Sequence, residues 1–570
     1  MAVLRNTVTD ADGDKANLTF EVWTTDAAGK PKEQVKLTDD NQYGVLVSDY
    51  VDSGKTAEVA VDSGKLKPGV TYVFRTSAYD GSLYETSWSP WAKFKIRDRA
   101  VDIKLPEPDR DASTLDQDQF QLPQEIPQPV MVPADVPPRP KAGTRRLDGR
   151  EGWNCGEINV ATGIQPCSRI VPDGGKKARK AIARAEAATR LGSVEWCRGM
   201  VKAHIKRLEA CISTFTYEYE GIIIRDGKPT GEIINASWAI NQQYELSNST
   251  SQIFEELTLF PVEPIDPRFG SVTLNVDFFC RIDCTTHVNT THWDSPLEWI
   301  PGDVHFAKGT IMRSWNDSDQ PQHVDYLDFS TKITGYAKLA NPAASQWETT
   351  DAQVRCDTVS QTSAGCTFHK YVPTWTFNTK KFPAAAAHAW LVQAKLPNHP
   401  GSKQHGKPMF FLPVVNSQNH DPSENRKVIC PQGWAKKYGH PETTLLTDTD
   451  LRSCDEFAFA ASYNSGGMPA AKGGLNPVIS GDQCLQSYSK RVKQGEWHLY
   501  DDERKPAPTF AEVCGRSAMS NWVNTQSMQA FPATFSQKYR LLDRDPYWIN
   551  TPGFEDCNAA AATVQCTAKP

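Results

Sequence analysis

The feature that most restricts the fold of this chain is its set of fourteen cysteines, which come in successive, closely spaced pairs. The pairs are Cys155/Cys167, Cys197/Cys211, Cys280/Cys284, Cys356/Cys366, Cys430/Cys454, Cys484/Cys514 and Cys557/Cys566. None is a Cys-x-x-Cys pair completed by the histidine spacing of a zinc finger. Spacing alone does not fix the connectivity, but successive pairing indicates local disulfides and therefore an oxidising, extracellular compartment.

Length and composition indicate several folded domains. The chain has 570 residues, and a typical domain of about 150 residues predicts three or four of them. The net charge of −6 gives no overall attraction for nucleic acid, so any such contact needs a local basic patch. No run reaches the roughly 20 apolar residues of a membrane-spanning helix, so we predict no membrane span. The first residues lack a signal-peptide pattern, and we interpret the chain as a piece of a longer secreted protein.

The hydrophobic pattern changes along the chain and predicts an α+β multidomain protein. Residues 1–100 alternate in short strands between Gly-containing turns, which predicts an N-terminal β-sandwich. Nine prolines in residues 104–141 predict a semi-rigid Pro-rich linker over 101–148. The remaining segments are a basic helical, Cys-containing connector over 149–211, a second antiparallel β-sandwich over 212–350, and a disulfide-containing α+β domain over 351–570.

Two charged stretches in the first half of the chain leave alternatives open. Asp10, Asp12 and Asp14 alternate in a way that suits a Ca²⁺ ion, but the missing distal bidentate Glu favours a plain turn. Residues 175–190 are Ala-rich and strongly basic, which predicts a helix. Such a helix either follows phosphates or presents a solvated face, and the lack of interleaved aromatic residues favours the second.

An adjacent acidic pair, Asp455 and Glu456, stands at the head of an apolar run. Carboxylates that enter a core need a metal ion, a basic partner or a hydrogen-bond network to offset their desolvation. The alternative is an N-cap, because acidic residues are also favourable before the first turn of a helix.

Residues 454–467, Cys-Asp-Glu-Phe-Ala-Phe-Ala-Ala-Ser-Tyr-Asn-Ser-Gly-Gly, resemble the signature of the NucA/NucB family of secreted bacterial deoxyribonucleases. Other segments resemble the family in the same order, namely residues 371–377, 382–388, 396–401, 424–426, 516–523, Gln526 and 540–549. The likeness covers roughly residues 352–555. Residues 72–81 and 88–91 resemble the fibronectin type III-like modules of large secreted bacterial proteins.

The resemblance implies a secreted, metal-dependent, sequence-nonspecific endodeoxyribonuclease that acts on DNA, with RNA as an open alternative. Mg²⁺ or Mn²⁺ prefers oxygen ligands, so Asp455 is the expected first ligand and Glu456 a second ligand or an orienting group. The resemblance also implies His388 and His399 as general base, although each could instead be a packed histidine. Arg426 and Arg516 are expected to clamp phosphate, with an ion pair as the alternative. Asn425 and Gln526 are expected to contact the substrate. An upstream polypeptide or a cell-surface anchor is a further expected partner.

The chain departs from the family pattern at the expected metal site. The family has an acidic residue nine positions after the Asp, where this chain has Asn464 as the remaining candidate ligand. Losing that charge should weaken metal binding by about 1–3 kcal/mol. The signature proline is Ala458, and the stretch between Asp455 and Arg516 is longer than usual. Two functions therefore remain: a nuclease that Asn464 would weaken or inactivate, or a non-catalytic extracellular structural or binding protein on a nuclease-like scaffold.

Overall fold

Strands dominate the chain, and helices are few. The computed structural model describes every residue except 1, 63, 68, 97, 133–151, 173–174, 189–193, 201, 282–283, 287–291, 350, 361–362 and 415–419. The α-helices of this part are α1 Gly175–Ala188, α2 Pro383–Lys395, α3 Pro422–Ile429, α4 Trp434–Lys437 and α5 Asn521–Gln529. Contacts divide the chain into unit 1 (Met1–Leu115, Thr376–Gln529 and Ile549–Pro570) and unit 2 (Asp116–Trp375 and Ala530–Trp548).

All fourteen cysteines form disulfides in the predicted successive pairs, and none is free. The cross-links span between 4 and 30 residues of sequence. They are therefore local staples, as the spacing indicated.

The first hundred residues of unit 1 form two small sheets whose buried residues follow the period-two pattern of the sequence. Their strands are β1 Ala2–Thr7, β2 Asn17–Thr25, β3 Pro31–Val35, β4 Leu46–Val47, β5 Thr56–Val61, β6 Thr71–Tyr79 and β7 Ala92–Lys95. In β5, Ala57, Val59 and Val61 are buried while the residues between them are exposed. Alternation of this kind places one face of each strand in a core and the other in water.

The start of the predicted linker belongs to a sheet, which differs from the sequence-based boundary. Val101–Pro106 forms β8, in which Val101, Ile103 and Leu105 are buried. It joins a six-stranded sheet of order β28-β31-β29-β30-β8-β33. The other members are β28 Arg452–Phe457, β29 Leu485–Lys493, β30 Glu496–Asp501, β31 Gly515–Ser520 and β33 Val564–Thr567. Strand β8 pairs with β30, so residues 101–106 are not part of a linker. Residues 133–148 of the predicted linker lie outside the described residues.

Unit 2 contains a ten-stranded and a seven-stranded sheet, whose inward residues share one hydrophobic core. The strands of unit 2 are β9 Gln124–Glu125, β10 Val130–Val132, β11 Asn154–Cys155, β12 Ile164–Val171, β13 His204–Ile205, β14 Glu209–Arg225, β15 Lys228–Leu246, β16 Gln252–Pro261, β17 Val272–Arg281, β18 Cys284–Thr286, β19 His292–Trp293, β20 Glu298–Trp299, β21 Ala307–Trp315, β22 Val324–Ala337, β23 Ala343–Glu348, β24 Val354–Asp357 and β25 Gly365–Phe368. The predicted connector supplies β12 to the larger sheet, and β9 and β10 from the predicted linker also pair with strands of this unit. On the basic helix α1, Ala178 and Ile182 pack against the buried residues Ala239 and Phe260.

The boundary predicted at residue 351 also differs from the observed division. Residues 351–375 and 530–548 belong to unit 2, where the buried Arg540 forms a bidentate ion pair with the buried Asp357. Asp545 in turn accepts hydrogen bonds from the guanidinium groups of Arg207 and Arg355. Buried charges of this kind need each other, so the segment that carries Arg540 and Asp545 is fixed to unit 2.

The remaining strands are β26 Thr374–Thr376, β27 Met409–Phe410 and β32 Pro546–Asn550. Among the described residues, none of the helices has the length and apolar character that a membrane crossing requires.

Candidate functional site

The acidic pair lies on β28, which is the edge strand of the six-stranded sheet in unit 1. The segment is a strand rather than the N-terminus of a helix, and it pairs antiparallel with β31. Two helices flank this strand. Helix α3 ends at Ile429 and is tied to β28 by the disulfide Cys430–Cys454, and α5 follows β31 directly.

Side chains from both flanking helices converge on the backbone of β28. The carbonyl oxygen of Cys454 accepts hydrogen bonds from Arg426 Nη2 on α3 at 3.0 Å and from Asn524 Nδ2 on α5 at 2.9 Å. Asn524 Nδ2 also donates to Ser453 Oγ at 2.8 Å. Because β28 has no neighbouring strand on this side in its sheet, these bonds satisfy an edge carbonyl that a strand would otherwise bind.

The two carboxyl groups have strongly raised pKa values. Burial raises the pKa of Asp455 to about 7, and the neighbouring Glu456 carboxylate adds to the increase. Burial also raises the pKa of Glu456 to about 7. Arg426 acts in the opposite direction on both groups, and its Nη1 lies 3.4 Å from Glu456 Oε1. One half-exposed guanidinium therefore does not offset the cost of two buried negative charges.

Asp455 and Glu456 lie on opposite faces of the sheet. Successive residues of a strand alternate between faces, and the cross-strand register places Asp455 opposite Ser517 and Glu456 opposite Arg516. Glu456 is buried, and its Oε2 has no hydrogen-bond partner among the described residues, whereas Asp455 is half-buried. The two groups therefore have different surroundings, although Arg426 at the sheet edge acts on both.

His388 lies on α2, a helix buried along nearly its whole length. Its Nδ1 is 3.2 Å from Ser487 Oγ on β29, and its ring lies against Gly515 on β31, the residue paired with Phe457 of β28. His388 is therefore close to the acidic strand, but the side chain it bonds is Ser487. Burial lowers the pKa of His388 to about 4, so the imidazole is neutral at physiological pH.

His399 and Asn464 are also engaged elsewhere. His399 Nδ1 is 2.9 Å from the carbonyl oxygen of Gln393, and its ring stacks on His405 with 3.7 Å between centroids. Asn464 Oδ1 accepts a hydrogen bond from the backbone N–H of Phe410 at 2.8 Å, and its Nδ2 donates to the carbonyl oxygen of Pro408 at 3.2 Å. Asn464 thus uses both ends of its amide to hold the segment that carries β27.

The predicted phosphate clamp Arg516 is fully buried and bonded within the protein. It donates to Asp482 Oδ1 at 2.7 Å, Gln486 Oε1 at 3.0 Å and the carbonyl oxygen of Ile429 at 2.8 Å, and its guanidinium lies over the Trp434 ring. This is the ion-pair alternative of the sequence analysis, with Asp482 as the acid. Arg516 therefore holds α3 and α4 to the sheet.

Asn425 and Gln526 differ in their distance from the acidic strand. Asn425 is buried beside Arg426, donates from Nδ2 to the carbonyl oxygen of Ala460 at 2.8 Å, and binds His420 Nε2 through Oδ1 at 2.8 Å. It thereby fixes α3 to the loop after β28. Gln526 is half-buried on α5 and lies two residues from Asn524, so the two side chains point about 200° apart around the helix.

The predicted calcium residues form a turn. Asp10 Oδ1 accepts hydrogen bonds from the backbone N–H groups of Asp12 at 3.0 Å and Asp14 at 2.9 Å, and both of these residues are exposed. This bonding is the ordinary Asx turn of an Asp-Gly segment.

Sequence reasoning missed Asn524 and His420. Asn524 lies on α5, two residues before the predicted Gln526. Which of these side chains faces β28 depends on how α5 is rotated about its axis, and the sequence does not give that rotation. His420 precedes the Pro422 that opens α3, and its contact with Asn425 follows from the three-dimensional path of that loop.

Comparison of the chain with protein-family models and with curated proteins finds no match.

Proposed function

We propose that the chain is a secreted, metal-dependent, sequence-nonspecific endodeoxyribonuclease that hydrolyses phosphodiester bonds at Asp455, Glu456 and Arg426. The observation that carries this proposal is the pair of neighbouring carboxyl groups with pKa values of about 7 beside a half-exposed arginine. Groups that titrate near neutrality both accept and release protons at physiological pH, and such groups are concentrated at catalytic sites. The seven disulfides support an extracellular location. We also propose that the chain contains the fibronectin-like module and the nuclease-like module that the sequence resembles.

The roles of the three residues follow from what phosphodiester cleavage requires. Arg426 is half-exposed, and its planar guanidinium suits the non-bridging oxygens of a phosphate. Asp455, half-buried on the opposite face from Glu456, is the residue that would hold Mg²⁺ or Mn²⁺, since such ions need only one or two carboxylates and keep several waters. A bound divalent ion supplies charge neutralisation and an activated water. Glu456, with a pKa of about 7, is partly protonated at neutral pH, and its ionised form pairs with Arg426.

Asn464 does not fit the same metal site. Its amide oxygen and nitrogen are already bonded to the backbone of residues 410 and 408. Freeing the oxygen for a metal would remove a hydrogen bond that a buried backbone N–H needs. The proposed ligand set is therefore Asp455 with waters, with Glu456 close by.

The test is cleavage of plasmid DNA, with RNA in parallel, in Mg²⁺ or Mn²⁺ and with a chelator. D455N should lower the rate by about 100-fold or more, and R426A should lower it in the same direction, because each removes a group that acts on the transition state. E424Q is the matched control, since Glu424 is an exposed carboxylate on α3 that pairs with Lys427. Full activity of D455N, or no cleavage of either nucleic acid by the wild type, would remove the nuclease proposal.

One observation favours the second candidate, a non-catalytic extracellular structural or binding protein. The position where the family has an acidic residue is occupied by Asn464, whose side chain serves the backbone. A folded wild-type protein that cleaves neither DNA nor RNA and binds no divalent ion at Asp455 in titration calorimetry would establish this alternative.

A further inference from the structure

A second group of metal-compatible side chains lies in unit 2, at the turn between β21 and β22. His323 Nε2 is 3.1 Å from Asp325 Oδ2 and 3.5 Å from Asp317 Oδ2, and the three ligand atoms lie within 4.8 Å of one another. Tetrahedral zinc with bonds of about 2.0–2.2 Å separates its donor atoms by about 3.3–3.6 Å. The observed spacing between the imidazole nitrogen and the two carboxylate oxygens is close to those edges.

Neighbouring groups hold each of these side chains in place. Asp325 Oδ2 accepts a hydrogen bond from Trp315 Nε1 at 2.7 Å, and Asp317 Oδ1 accepts one from Gln320 Nε2 at 2.8 Å. The Trp315 ring also stacks on the His323 ring with an angle of 7° between the planes. Metal-binding carboxylates and histidines are commonly oriented by such outer partners, and the Gln320 bond to Asp317 Oδ1 leaves Asp317 Oδ2, the oxygen near His323, for the ion.

A third element fixes the backbone at His323. The backbone N–H of His323 donates to Thr358 Oγ1 at 3.0 Å, and the N–H of Thr358 donates to the carbonyl oxygen of His323 at 3.0 Å. Thr358 directly follows β24, which itself pairs with β22. The imidazole therefore projects from a backbone that is bonded on both sides.

The charge at this turn is not balanced within the protein. In the part of the chain that the structure describes, the ion pairs of Asp317 and Asp325 run only to His323. A neutral imidazole leaves two negative charges here, and a protonated imidazole still leaves one. All three side chains are partly exposed, between 13% and 35%, so an ion has access.

Another group of side chains with the spacing of metal ligands differs from this turn in its balance of charge. It consists of His440, Asp502 and Glu503 in unit 1. There Arg504 bonds both oxygens of Asp502, and Arg99 lies 3.3 Å from Glu503. Because arginines already balance these acids, that group gives no reason to expect a cation.

We propose that Asp317, His323 and Asp325 bind one divalent transition-metal ion, for which Zn²⁺ is the best match, with water completing the coordination. One imidazole nitrogen and two carboxylate oxygens suit zinc, which accepts nitrogen and oxygen ligands in a four-coordinate site. The ion clamps the turn to the first residues of β22 and stabilises unit 2. This site is independent of the proposed nuclease site, which lies in unit 1.

The experiment is a Zn²⁺ titration of the chelator-treated full chain, followed by calorimetry and by the melting temperature. The wild type should bind one Zn²⁺ more than H323Q and D317N, whose binding at this turn should be weaker by about 100-fold or more. Zn²⁺ should raise the melting temperature of the wild type more than that of either variant. D317N keeps the histidine and changes a partly exposed turn residue, so it guards against a folding defect in H323Q.

H305Q is the matched control. His305 also stacks on a tryptophan, Trp299, and lies 3.8 Å from one aspartate, Asp303, but its other contact is the carbonyl oxygen of Pro296. H305Q should bind as many Zn²⁺ ions as the wild type, and D455N should retain the ion at the turn. Equal Zn²⁺ binding by wild type, H323Q and D317N would overturn the proposal, as would a wild type that binds none.

Discussion

Replacing Glu456 with glutamine should stabilise the protein at alkaline pH. The pKa of the buried carboxyl is about 7 in the folded state against an ordinary value of 4.5, and each pH unit of difference corresponds to about 1.4 kcal/mol. Between these two values the folded state binds more protons than the unfolded state, so the stability of the wild type falls as the pH rises. Above pH 7 the whole loss in the free energy of unfolding is present. It amounts to about 3 kcal/mol for an isolated group. Because Glu456 is coupled to Asp455, we expect a loss on the order of 1–3 kcal/mol.

Glutamine does not titrate, so E456Q escapes this loss. It keeps a side-chain oxygen near Arg426, and Arg426 is 47% exposed, which limits the cost of losing its ionic partner. The gain over the wild type should be near zero at pH 4, grow from about pH 4.5, and reach its maximum above pH 7. Because the chain holds two units, the comparison uses the melting temperature of one calorimetric transition, with an expected rise on the order of 5 °C at pH 8.

E424Q is again the control, because the exposed Glu424 pairs with Lys427 on the same helix and should show no such pH-dependent gain. The reasoning is refuted if E456Q melts below the wild type at pH 8 and matches it at pH 4. That result would show that the folded pKa of Glu456 is depressed and that its ion pair with Arg426 stabilises the protein.

Three further predictions concern single residues. In R426A, the pKa values of Asp455 and Glu456 should rise, because the guanidinium lowers both; the pH optimum of the residual DNA cleavage should therefore move to higher pH than in the wild type. N464D should lower the melting temperature without raising metal affinity, because it removes the N–H donor to the Pro408 carbonyl. Calorimetry measures the melting temperature and the metal affinity, and a gain in affinity would contradict the placement of Asn464 away from the metal. R540A should destabilise unit 2 by about 3–5 kcal/mol in denaturant melts, since it leaves the buried Asp357 unpaired; a loss under 1 kcal/mol would contradict this.

Local chemistry made part of the site predictable. An acidic pair before an apolar run requires some form of compensation, and Arg426, a phosphate clamp or ion-pair member in the sequence analysis, supplies part of it. The cysteine spacing likewise predicted the disulfide that fixes α3 beside β28. The partner of the acidic pair and the disulfide were both predictable because they follow from residue type and from spacing along the chain.

The placement of the other candidate residues required the fold. Asp455 and Glu456 fall on opposite faces only because the segment is a strand, and an apolar run after an acidic pair does not distinguish a strand from a helix. His388 fits a catalytic histidine by residue type alone, but α2 is buried on nearly all sides and points it at Ser487. Arg540 is far from Asp357 in sequence, so no local pattern reveals that its segment belongs to unit 2.

On the proposed function, the separation of the two carboxyl groups gives them unequal roles. Asp455 is half-buried, whereas Glu456 is buried next to the guanidinium of Arg426, which lowers the pKa of both groups. When Glu456 is ionised, its carboxylate competes with a phosphate for Arg426, and when it is protonated, Arg426 is free to bind the phosphate. Ionisation of Asp455 and protonation of Glu456 are therefore both favourable for catalysis. Since the two groups titrate near the same pH, the rate should pass through a maximum close to neutrality, and E456Q should retain activity on the alkaline side where the wild type loses it.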